Sequence, residues 1–129
     1  MPLTFVSVMT LCGFLSVMGL PIPFVEVGIA LSVVVLGAIG VRAPPAVAMG
    51  AVGFFAIFHG HAHGSEMPLD ALGLEYGVGF MLATAVLHAV GIGIGFLIGM
   101  SSKTFGNKVY RVAGGLASMA GVALLLGYL

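Results

Sequence analysis

Apolar runs long enough to cross a bilayer recur along this chain, each closed by a short cluster of proline, charged or polar residues. The first, about Leu3 to Leu20, stops at Leu20-Pro21-Ile22-Pro23, where two prolines remove backbone donors and push the residues before them out of the helical region. A second run, about Phe24 to Val41, carries Glu26 near its start and is closed by Arg42-Ala43-Pro44-Pro45. Pro44 and Pro45 end that helix and open the next, which runs from about Ala46 to His63. Met67 to Glu75 is too short and too polar to cross. The fourth run, about Tyr76 to Met100, has His88 near its middle; Ser101 to Lys108 then reads as a basic loop before a last run from about Val109 to Leu126. The pattern predicts an all-α, polytopic transmembrane helical bundle of about five spans, forming a single domain over residues 1–129.

Composition narrows the class. Hydrophobic residues make up 60% of the chain and charged residues 6%, against about a quarter charged in a soluble domain, and the mean hydropathy is +1.25. Such a chain works in or at a bilayer, and 129 residues accommodate about five crossings with short loops and no separate soluble domain. With a net charge of zero there is no basic surface for nucleic acid. The single Cys12 cannot form an intramolecular disulfide and reads as a small core residue. No basic leader or small-residue cleavage pattern marks the first run, which is expected to stay in the protein. Nor is there a phosphate-binding glycine loop, so any use of ATP would fall to a separate partner, and no organic cofactor is expected.

The few charges set an orientation. Arg42 follows span two, while Lys103, Lys108 and Arg111 follow span four. An even number of crossings separates them, so both loops are expected to face the cytoplasm. Glu26, Glu66, Asp70 and Glu75 then collect toward the outer face with no Lys or Arg among them, an arrangement that attracts cations.

Candidate chemistry is concentrated in Phe58-His59-Gly60-His61-Ala62-His63-Gly64-Ser65-Glu66-Met67-Pro68, which holds three of the four histidines. If the helix of span three continues to Glu66, steps of about 100° per residue put His59, His63 and Glu66 within a roughly 60° sector, with His61 almost opposite. Imidazole nitrogen and carboxylate oxygen suit Ni, Co, Zn or Fe better than Ca or Mg. The plainer reading is a set of polar residues where a helix leaves the membrane. His88 is too deep to reach the surface and is either a ligand or a buried, hydrogen-bonded residue, with Thr84 one turn before it. Glu26 either caps its helix, reaches the surface or attracts a cation. Gly91, Gly95 and Gly99 have the small-xxx-small spacing that lets helix backbones meet.

The histidine segment resembles the FHGHAHGxExP signature of the HupE/UreJ family, membrane proteins associated with hydrogenase and urease gene clusters and regarded as nickel or cobalt permeases. Leu20-Pro21-Ile22-Pro23-Phe24-Val25-Glu26 before it and Ala83-Thr84-Ala85-Val86-Leu87-His88 after it extend the resemblance over essentially the whole chain. It implies a six-span bundle, functional roles for His59, His61, His63 and Glu66, and a match of His88 to a recurrent span histidine. It also implies a further span ahead of these five, bearing an HPxxGxDH motif that this sequence does not contain; the chain is expected to be either a truncated form or a natural short form whose site is completed differently, as by another chain. The expected function is a non-enzymatic permease of the cytoplasmic membrane that carries Ni²⁺, or Co²⁺ second, for urease or hydrogenase maturation. Glu26, Asp70 and Glu75 would attract the cation. The alternatives are a haem carrier using His59 or His63 with His88, a membrane metalloenzyme, and an inactive fragment of a permease.

Overall fold

The computed structural model describes residues 2–39, 43–68 and 72–128. These residues form five α-helices and no strand: α1 Pro2–Val17, α2 Val25–Ile39, α3 Pro45–Ser65, α4 Leu72–Ser101 and α5 Lys103–Tyr128. Three of them, α3, α4 and α5, are long and apolar enough to cross a membrane. The other two are apolar but shorter than expected, at 16 and 15 residues, below the roughly 20 of an upright crossing.

Local chemistry sets these limits. The first helix stops before Leu20 because Gly19 adopts a left-handed conformation, φ 85°, and two hydrogen bonds close the end: Gly19 N–H to the Ser16 carbonyl at 2.9 Å and Leu20 N–H to the Leu15 carbonyl at 3.2 Å. Phe24, at φ 58°, then turns the chain into α2. Pro45 opens α3 as its first helical residue, as its fixed φ favours. That helix continues through the whole histidine segment. α4 starts earlier than expected and takes Glu75 into its first turn, where a carboxylate complements the helix dipole. The expected basic loop of residues 101–108 is helical apart from Ser102, whose hydroxyl caps α5 by accepting from the Phe105 N–H at 3.1 Å.

The helices touch in the order α1, α3, α2, α5, α4 and back to α1, with α1 on α3 and α2 on α5 the most extensive pairs. Glycine makes both possible. A Cβ added at Gly60 or Gly64 would collide with the backbone of Met9 or Gly13, and one at Gly37 would meet the Gly114 carbonyl at 2.6 Å. Ser118 ties the second pair by donating to the Val34 carbonyl at 2.9 Å. The glycines of α4 do not pack as their spacing suggests: a Cβ at Gly91, Gly93 or Gly95 would meet nothing, and one at Gly99 only the Tyr110 hydroxyl. Spacing shows that a stripe can take a close neighbour and says nothing of which stripe receives one. From Leu74 to Ser101 every residue of α4 except Thr84 is exposed or half-buried, which suits a helix turned toward lipid.

Candidate functional site

Because α3 remains helical to Ser65, His59 and His63 lie one turn apart on one side of it and His61 leaves on the other. His59 donates from Nδ1 to the carbonyl of Phe55, one turn back, at 3.1 Å. His88 on α4 does the same to the carbonyl of Thr84 at 2.8 Å. In each ring Nδ1–H is thereby committed, and Nε2 keeps its lone pair, the form that binds a metal. Both rings pack on Phe5 of α1, with centroids 5.8 Å apart for His59 and 5.3 Å for His88.

One turn further along α3, His63 lies with Nδ1 3.8 Å from Glu66 Oε2 and its ring 4.1 Å from that of Phe80 on α4. It stands on the wall of a cleft of about 150 Å³ between α1, α3 and α4, whose other walls include Met9, Phe14, Met67, Tyr76 and Phe80. A second cleft, of about 290 Å³, has the opposite character. Glu26 from α2 meets His61, Ser65 and Glu66 from the end of α3 there, with Ile22 and Phe24 at the edge. His88 also borders a wide opening with Leu87, Gly91 and Ile92.

The expected grouping of His59, His63 and Glu66 therefore divides. His63 and Glu66 are neighbours, His59 turns to Phe5, and Glu66 shares its cleft with His61. Among the described residues no three His, Cys, Asp or Glu side chains converge closely enough to hold an ion between them. Glu75 is exposed and lines neither cleft, and Asp70 lies outside the described residues, as does Arg42. Phe5 and Phe80 did not stand out in the sequence, where nothing distinguishes them from lipid-facing aromatics; only the crossing of α1 and α4 with α3 brings them to the imidazoles.

Residues 1–124 match the profile of the HupE / UreJ protein family. The chain belongs to the HupE/UreJ family. Among curated members it is similar to protein HupE of Rhizobium leguminosarum bv. viciae, with 44% identity over 129 residues that cover 98% of this chain and 66% of that protein. The chain thus spans just under two thirds of that relative's length. No solved structure matches it. His61 and Glu26, 35 positions apart in the chain, line one polar cleft.

Proposed function

We propose that this HupE/UreJ chain moves a divalent transition metal ion inward across the cytoplasmic membrane, Ni²⁺ first and Co²⁺ second, for hydrogenase or urease maturation. The observation that carries this reading is the polar cleft of Glu26, His61, Ser65 and Glu66 at one end of an otherwise apolar bundle. Two carboxylates offset the charge of a divalent ion, and an imidazole beside them selects borderline metals over Ca²⁺ and Mg²⁺. Ligands that do not close into a full shell leave part of the ion's water in place, and an ion so held can leave again, as conduction requires. His63 beside Glu66, then His59 and His88, offer further nitrogen donors toward the middle of the bundle. Lys103, Lys108 and Arg111, all exposed, support a cytoplasmic orientation for their end of the bundle.

A haem shared by His59 and His88 fits less well, because the phenyl ring of Phe5 packs against both imidazoles. Radioactive nickel uptake into cells lacking other nickel importers tests the proposal, with the chain expressed alone and with a supplied preceding span. Uptake in either arrangement that falls with Glu66→Gln and with His61→Ala is the expected result. No uptake in either arrangement, at normal abundance in the membrane, would overturn it.

A further inference from the structure

We propose that Phe5 is a positioning residue that keeps His59 and His88 from closing on the same ion, so that the two imidazoles act as successive stops and not as one tight site. The inference rests on the metal-transport reading above and adds to it a role for a side chain that cannot itself bind metal. Phe5, half-buried on α1, carries its ring against both imidazoles, edge-on to His59 at 66° and tilted to His88 at 38°. Each imidazole has Nδ1 committed to a carbonyl one turn back, so each presents Nε2 as a ready ligand.

Two such nitrogens on one ion, each at about 2.0–2.1 Å, hold it far more firmly than one. A path through the bundle needs the opposite, sites that bind and let go. The packing of the helices makes the spacing depend on Phe5. α1 is fixed against α3 by backbone contact at Gly60 and Gly64, which fixes Phe5 relative to His59. α4 has much less contact with α1, so His88 is the imidazole free to approach. The phenyl ring packs against both imidazoles, and having neither donor nor acceptor it competes for no ligand position.

The test uses the full chain in liposomes, with Co²⁺ absorption and equilibrium binding as the affinity readout and Ni²⁺ flux per molecule as the transport readout. Phe5→Ala is expected to bind Co²⁺ about tenfold or more tightly and to carry Ni²⁺ more slowly. Adding His88→Gln should abolish the gain in affinity, and the conservative Phe5→Leu, which keeps most of the bulk, should bring affinity and flux back toward the wild-type values. Phe5→Val serves if Phe5→Ala does not accumulate. Unchanged Co²⁺ affinity in both truncations, or tight binding that survives His88→Gln, would overturn the proposal. If the wild-type chain carries no Ni²⁺ while Phe5→Ala still gains His88-dependent Co²⁺ binding, the transport reading falls and the spacing role of Phe5 stands.

Discussion

Histidines alternate with the small residues Gly60, Ala62 and Gly64 through residues 59–64 of α3, and they answer to different neighbours. Gly60 and Gly64 meet the backbone of α1, while His59, His61 and His63 point to Phe5, to the Glu26 cleft and to Phe80. Gly60→Ala and Gly64→Ala should therefore each destabilise the bundle by about 1–3 kcal/mol through overpacking against rigid backbone. Gly91→Ala, whose Cβ meets nothing, should leave stability unchanged or slightly raised; thermal unfolding in detergent distinguishes the two groups. For His88 the informative change is His88→Gln, which keeps a donor and an acceptor at similar length. If His88 ligates the moving ion, uptake drops while abundance holds, because an amide binds borderline metals poorly; normal uptake at normal abundance would assign His88 to structure. The sequence made the histidines and their chemistry legible, since polar groups in apolar helices stand out. Their partners were not legible: Glu26 lines the same cleft as His61 from 35 residues away in the chain, and no periodicity encodes that meeting.

At the level of elements, the pairing of α2 with α5 rests on small residues and one side-chain hydrogen bond, from Ser118 to the Val34 carbonyl. Ser118→Ala keeps the close approach and removes the bond, so a loss of only about 0.6 kcal/mol is expected, the average for such bonds between membrane helices. Ser118→Leu should cost several times more, since Gly37 lies against Ser118; equal losses would mean that the bond, and not the fit, holds the pair. Five helices could be read from apolar runs and prolines, and Pro45 at the start of α3 shows how firmly proline fixes a boundary. The join of α4 to α5 could not. Lys103 and Lys108 suggest a loop by charge, yet lysine is a good helix former, and a single capping serine is enough to begin the helix.

For the molecule as a whole, orientation is the property that labelling decides. In a Cys12→Ala background, Glu75→Cys at the exposed start of α4 should react with a membrane-impermeant thiol reagent added outside intact cells, and Asn107→Cys near the start of α5 should not. The reverse pattern would turn the proposed uptake into export. Which helices pair was hidden from the sequence, because α1 lies on α3 and not on its neighbour in the chain. This uneven packing has a consequence for the proposed transport. α4 rests on α1 and α3 through His88 and Phe80 and on α5 through Gly95 and Gly99, and elsewhere it meets little protein. Tilting it would separate few contacts, whereas separating α1 from α3 would break an interlocked pair of backbones. If the proposed transport proceeds by alternating access, α4 is the wall that would rock against the interlocked α1 and α3, and the histidine it carries is His88.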